Sequence, residues 1–170
     1  MNRLLLIALA LLALGCALVS CNDDSCYENG SSLPLAELYV GSTRTTVTGL
    51  TIKGIGAPGD SLLADSSSIN EIYLPLRASV SSTRYALTRH IAAYGDIIIV
   101  NDTLTIDYEP IAYFHSKECG AMFNFDIHQV SHTHHGIDSV VVLNQLVTNS
   151  TVPSLRIYLL IFSHEGRQHI

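Results

Sequence analysis

Lysine is nearly absent from this chain: only Lys53 and Lys117 occur, and nine Lys and Arg stand against fifteen Asp and Glu, for a formal net charge of −6. A chain this acidic has no electrostatic footprint for a phosphate backbone, so nucleic acid is not an expected partner. A membrane-crossing helix, which needs about 20 apolar residues, is not offered by the N-terminal apolar run, because Leu4 to Leu14 spans eleven. No long stretch carries the 3.6-residue period of an amphipathic helix. Catalytic signatures are missing too. There is no nucleophile elbow of the form G-x-S-x-G, no GxxxxGK[ST] phosphate loop and no H-E-x-x-H. Gly54-x-Gly56-x-x-Gly59 has the glycine spacing of a dinucleotide loop, but Asp60 and Ser61 lead into no helical pattern, so it reads as a connection between strands. The expectation is a protein that is not an enzyme and carries no cofactor.

What is present is β-structure. Short runs rich in Val, Ile, Thr, Tyr and Phe recur with turn residues between them. Leu35–Val40 reads as a first strand and Thr43–Lys53 as a second, followed by a Gly/Pro-rich turn over 54–60. Ile72, Leu74, Leu76, Ala78 and Val80 share one parity and predict a long half-buried strand, with Pro75 restricting it to an edge. Tyr85, Leu87 and Ile91 line the next strand, closed by Tyr94-Gly95-Asp96. Ile97–Val100 follows, Asn101-Asp102 reads as a turn, and Leu104, Ile106 and Tyr108 face inward in a strand ended by Pro110. Ile111–His115 is a short strand. Phe123, Phe125 and Ile127 then face inward opposite Asn124, Asp126 and His128. The last strands are Ile137–Leu143 and Leu155–Phe162, and 163–170 is a polar tail. Eight to ten strands in one domain predict an all-β, two-layer antiparallel sandwich with an Ig-like Greek key over 35–162; a small β-barrel is the alternative, since periodicity cannot separate a closed sheet from two stacked ones.

The start of the chain carries the sharpest motif. Arg3 precedes the apolar run, and Leu18-Val19-Ser20-Cys21 follows it. An apolar-small-Cys tetrad at the end of a short leader resembles the lipobox of bacterial lipoproteins. That resemblance implies a signal peptide over 1–20, diacylation of the Cys21 thiol, cleavage and acylation of the new amino group, with residues 21–34 as a lipidated tether. Cys16, preceded by Gly15, is the rival site, with Ala13 a poorer match than Leu18. Three acyl chains make attachment effectively permanent. Asn22-Asp23-Asp24 resembles the surface-export signal of Bacteroides-type lipoproteins, implying an outer-membrane and surface-exposed location; two aspartates that keep a tether solvated are the plainer reading.

With Cys16 removed and Cys21 acylated, Cys26 and Cys119 remain, and a leftover pair in an oxidising compartment reads as one disulfide; two buried free thiols are the alternative. Four of the eight histidines, His128, His132, His134 and His135, fall within eight residues. Three of them, His128, His132 and His134 foremost, could meet a zinc ion, with Asp126 or Asp138 completing the set; an exposed hairpin end that merely contains His is the alternative. Glu109, Glu118, Asp107 and Asp126 could supply the paired carboxylates of a glycosidase, although scattered surface acids are commoner. Asp60-Ser61-Leu62 and Asp102-Thr103-Leu104 match a loose Asp-Ser/Thr-aliphatic pattern similar to the O-glycosylation signal of exported Bacteroides proteins, with Ser61 and Thr103 as acceptors.

As a whole, the stretch from Cys21 to Asn29, the Gly-Ile-Gly-Ala-Pro-Gly-Asp-Ser loop, Tyr73-Leu74-Pro75-Leu76, Phe114-His115-Ser116-x-x-Cys119-Gly120-Ala121 and Ile137-Asp138-Ser139-Val140-Val141 resembles an uncharacterised family of Bacteroidota lipoproteins. The resemblance supports export, anchor and the two-Cys framework and supplies no catalytic residue. The expected function is a lipid-anchored, non-catalytic binding or structural module of the cell envelope, its partners being the membrane and an envelope protein or glycan. The alternatives are a zinc protein or metal-dependent hydrolase built on His128–His135, and an accessory lipoprotein of an uptake or adhesion complex with an exposed aromatic patch around Tyr73, Tyr85 or Tyr113.

Overall fold

A computed structural model describes residues 32–57, 59, 61–93, 95–117, 119–163 and 166–168. The leader, Cys16, Cys21, the Asn22–Asp24 cluster, Cys26, Asp60 and Glu118 lie outside the described residues.

The strands are β1 (Leu35–Val40), β2 (Thr43–Arg44), β3 (Val47–Ile55), β4 (Leu62–Ile69), β5 (Glu71–Tyr73), β6 (Ser82–Ala93), β7 (Asp96–Ser116), β8 (Gly120–His132), β9 (Ile137–Val142), β10 (Leu146–Val147), β11 (Pro153–Leu159), β12 (Ile161–Ser163) and β13 (Gly166–Gln168). The first eleven form two packed layers, and β12 and β13 pair in a separate two-stranded ribbon. The larger sheet has the order β10-β8-β7-β6-β3-β4; the smaller is β2-β1-β11-β9, with β5 sharing the free side of β1. The edges of the larger sheet, β10 and β4, are not paired to each other, so that sheet stays open and the molecule is a sandwich of two curled sheets. The chain changes layers between β2 and β3, β4 and β5, β5 and β6, β8 and β9, β9 and β10, and β10 and β11. The sheets hold six and five strands instead of the four and three of an immunoglobulin constant domain, and the larger one keeps its strands in chain order, β3 and β4 excepted. One pair departs from the antiparallel expectation: β1 runs parallel to β11, from Ala36 opposite Leu155 to Val40 opposite Leu159. Periodicity carries no information about strand direction.

Alternation sets which face each strand buries. Ala36 and Leu38 of β1 meet Leu155, Ile157 and Leu159 of β11 on one layer; Leu50, Ile52, Tyr85, Leu87, Leu104, Ile106, Tyr108, Phe125 and Ile127 cover them from the other. Each such fully buried aliphatic side chain contributes roughly 1.5–3 kcal/mol, so a one-residue slip of any central strand would expose its whole inward set. On the outer face of the small sheet the buried Glu37 accepts from Arg156 at 3.1 Å and pairs with Arg44 at 3.1 Å, while Arg44 also reaches Glu71.

Several sequence expectations need correction. The strand expected over 72–80 ends at Tyr73. Pro75 has no N–H for a ladder, and although Leu74 is buried, Ala78 and Val80 are exposed. Residues 62–69, which carried no strand expectation, form β4. Its Asp65-Ser66-Ser67-Ser68 core has poor strand propensity and pairs with β3 through register shifts, with Ser66 at a positive φ of 45° and its N–H bonded to Thr51 Oγ1 at 3.0 Å. Thr43–Lys53 is broken at 45–46 into β2 and β3. Asn101-Asp102 is not a turn and Pro110 is not an end: β7 runs unbroken through both for 21 residues. Pro110 is tolerated because β6 stops pairing at Ser82 opposite Asp107, while β8 continues as a partner beyond it. The Tyr108 N–H points away from β8, to Ser81 O at 2.9 Å, so the nitrogen at 110, of the same parity, faces a side with no strand. Finally, residues 163–170 are not all a polar tail: Gly166–Gln168 form β13, which pairs with β12.

Candidate functional site

Where the expected strand at 74–80 fails, a strap crosses one end of the sandwich, and the hydroxyls of two core tyrosines hold it. Tyr85, 2 % exposed, donates to the Pro75 carbonyl. Tyr108 donates to Arg77 O at 2.9 Å, accepts the Arg77 N–H at 2.9 Å, and lies 2.7 Å from Thr83 Oγ1. Burial pushes the Tyr85 phenol well above its ordinary value, and the neighbouring Tyr108 adds to the rise while the Arg77 charge works against it.

The strap does not fill the space beneath it. A cavity of ≈ 360 Å³ lies on one side, walled by Gly54, Ile55, Ala57, Leu63, Leu76 and Tyr85, with Arg77 at its edge. A second, ≈ 350 Å³, lies on the other side of Pro75 and Leu76, against Leu33, Ala121, Phe123 and Phe125, with Cys119 and Ser32 in its wall. Both fall in the ≈ 300–1,000 Å³ range of small-molecule sites, which are concave, mostly apolar and carry a few polar groups. The first is the more apolar: the Tyr85 hydroxyl is committed to the strap and the Thr83 hydroxyl to Tyr108. The Arg77 guanidinium makes one hydrogen bond among the described residues, from Nη1 to Gly56 O at 3.4 Å, and pairs with no carboxylate of a described residue.

The histidines separate. His128 is the extra residue of a bulge in β8: Gln129 stands opposite Asp107 and Ile127 opposite Tyr108. Inward parity therefore changes from Phe125 and Ile127 before it to Val130 after it. His128 sits on the outer face, 3.8 Å from Asp126 and 3.9 Å from Glu109, and His132 lies on the other face, opposite the buried Leu104. His132 and His134 do meet, rings edge to face with centroids 4.3 Å apart, and His132 Nδ1 is 2.9 Å from Thr133 O. No group of three or more His, Cys, Asp or Glu is arranged around a metal-sized space among the described residues.

His135 belongs to a different centre, one that sequence reasoning missed. Asp102, 6 % exposed in the middle of β7, organises the β8–β9 turn with both carboxylate oxygens. Oδ1 accepts from Thr133 Oγ1 at 2.7 Å and His135 N at 2.9 Å; Oδ2 accepts from Gly136 N at 2.7 Å and Ile137 N at 3.0 Å. The His135 ring lies 3.4 Å from Oδ1. A carboxylate with four donors is fully satisfied, so this is a structural node.

Of the remaining candidates, Thr103 lies half-buried inside β7, its backbone bonded to Thr133 just past the end of β8. Ser61 is exposed at the cavity rim. Asp126 and Glu109 flank His128 on an open strand face, whereas Asp107 stands opposite Ser82. Cys119 follows β7 in the β7–β8 turn, its N–H bonded to Ser116 Oγ at 3.1 Å. Tyr73 is 42 % exposed, but Tyr85 is a core residue and drops out of any aromatic surface patch. The tether's last residues already belong to the fold: Ser32 is 2 % exposed and donates to Asn124 Oδ1 at 2.9 Å, and Pro34 O accepts from Leu74 N at 3.0 Å.

No curated protein and no solved structure matches the chain. A family model described as a family of unknown function (DUF6452) matches residues 49–159, from within β3 to the end of β11. By that match, which takes in most of the sandwich and the strap, the chain belongs to this family of unknown function.

Proposed function

We propose that this chain is a lipid-anchored, non-catalytic module of the bacterial outer membrane, and that its sandwich binds a small apolar ligand beneath the strap. The observation that carries the binding half is the apolar ≈ 360 Å³ cavity whose only charged wall residue is Arg77 among the described residues. The anchoring half rests on the leader and the Leu18–Cys21 tetrad. Ser32, eleven residues after Cys21, is already bonded into the fold, a spacing that would hold the domain close to the membrane. A Cys26–Cys119 disulfide belongs to the same proposal. Ser32 and Cys119 share one cavity wall, and the six residues from Cys26 to Ser32 can span about 20 Å when extended.

The test is extraction. Protein purified from its native envelope is extracted with organic solvent and compared by mass spectrometry with a Leu63→Trp variant, whose indole fills the cavity. An apolar compound carried by the wild type and missing from the variant is the expected result; identical extracts would overturn the binding reading. A second reading, an accessory subunit of an uptake or adhesion complex, is favoured by one feature. The β7–β8 arm overhangs the end of β6 and leaves Phe114 71 % and Phe123 36 % exposed. Cross-linking in the envelope that Phe114→Ser abolishes would support it.

A further inference from the structure

We infer that the cavity beside Ile55, Leu63 and Leu76 takes a single-chain amphiphile with a carboxylate head, the chain buried against those side chains and the head held by Arg77. This deepens the binding reading above and rests on it. Three observations select the ligand class. At ≈ 360 Å³ the space lies near the lower limit of small-molecule sites, which suits one alkyl chain and not two. The walls supplied by Ile55, Ala57, Leu63, Pro75 and Leu76 offer no hydrogen-bonding side chain, so the buried part of the ligand must be apolar. The polar side chains deeper in are already committed. Tyr85 donates to the Pro75 carbonyl, and Thr83 is bonded to Tyr108.

That leaves the rim. A guanidinium carries five N–H donors in a planar fork that matches a carboxylate. Arg77 spends one of them on a 3.4 Å contact to Gly56 O and is exposed, so the fork can turn to a head group without breaking an ion pair with any described residue. A neutral amphiphile would gain the apolar burial alone; a carboxylate gains the charge-assisted bonds as well.

Equilibrium dialysis of dodecanoate and of 1-dodecanol, both below their aggregation thresholds, tests this on the full chain carrying Cys21→Ser, which removes the protein's own acyl groups from the competition. Dodecanoate should bind saturably with one equivalent per chain. Leu63→Trp should weaken both ligands at least tenfold, and Ala57→Leu, a second cavity-filling change, should do the same if the first variant does not fold. Arg77→Gln should weaken dodecanoate about tenfold, the value of a hydrogen bond to a charged group, and leave dodecanol unchanged. Absence of saturable binding, indifference to both cavity-filling changes, or an Arg77→Gln effect that is nil or equal for the two ligands would overturn the inference. If the native extract yields an uncharged apolar compound while dodecanoate does not bind, the binding reading stands and this inference alone fails.

Discussion

Asp102 shows how a single residue can be placed on the wrong side of a turn when read locally. Asn-Asp pairs commonly mark turns, but here the carboxylate supplies its acceptors to the β8–β9 turn, 31 to 35 positions away. No local pattern encodes that distance. Removing the carboxylate would strand the buried N–H groups of Gly136 and Ile137, and each buried donor left unpaired costs about 1–3 kcal/mol. Asp102→Ala should therefore lose about 3 kcal/mol in urea unfolding with an unchanged m-value, and Asp102→Asn less, because one oxygen remains; a loss under 1 kcal/mol for the alanine would contradict the node. Tyr85 gives a pH-dependent counterpart. Its phenol ionises near 10.0 in the unfolded chain and higher in the fold, chiefly through burial. Its contribution is complete below pH 10 and declines above it, because the unfolded state releases the proton first. Stability should fall with a slope of up to about 1.4 kcal/mol per pH unit. In Tyr85→Phe the decline should be shallower, as measured by denaturant midpoints between pH 9 and 11; parallel curves would contradict this.

Among the elements, parity was legible and extent was not. The inward sets of β6 and β7 follow from alternation, and Tyr85, Leu87, Leu104, Ile106, Phe125 and Ile127 are all buried, but Phe123, expected inward in β8, is exposed where β8 outruns β6, and the bulge at His128 shifts the parity beyond Ile127. Extent failed where a residue's effect depends on its neighbour strand: Pro110 persists inside β7 because β6 has ended, whereas Pro75 ends β5 and frees the strap that creates the cavities. β4 was invisible because serines fill it and its pairing runs through bulges. The irregularity in β3 needs Gly49, which has φ +64° and whose added Cβ would lie 2.9 Å from the His90 carbonyl oxygen. Gly56 shares the backbone requirement, with φ +72°, but has open space around it. Gly56→Ala should cost about 1–2 kcal/mol, the left-handed penalty alone, and Gly49→Ala distinctly more, because His90 lies on the adjoining strand. Equal losses in thermal or chemical unfolding would contradict the steric part of this account.

For the whole molecule, the two-layer all-β class was readable from strand spacing, whereas the parallel β1–β11 pair and the cavities were not, since both arise from how distant segments meet. The candidate metal site illustrates the same limit: four histidines close in sequence are divided between two faces and two centres by one bulge residue, His128, and by Asp102. The proposed Cys26–Cys119 bridge would close a loop of more than ninety residues. The chain-entropy model values such a bridge at roughly 4–5 kcal/mol, with measured values often lower. Cys119→Ser should lower stability by about 2–4 kcal/mol in protein from the native compartment, and non-reducing peptide mapping should recover the two cysteines linked; two unlinked thiols would end that part of the account.

The most direct test of the anchored-module account is metabolic labelling of the native host with a clickable fatty-acid probe, comparing the wild-type chain with Cys21→Ser. The account predicts label on the N-terminal peptide of the wild type and none on the variant. A wild-type protein that stays unlabelled, or a variant that labels equally, would contradict it.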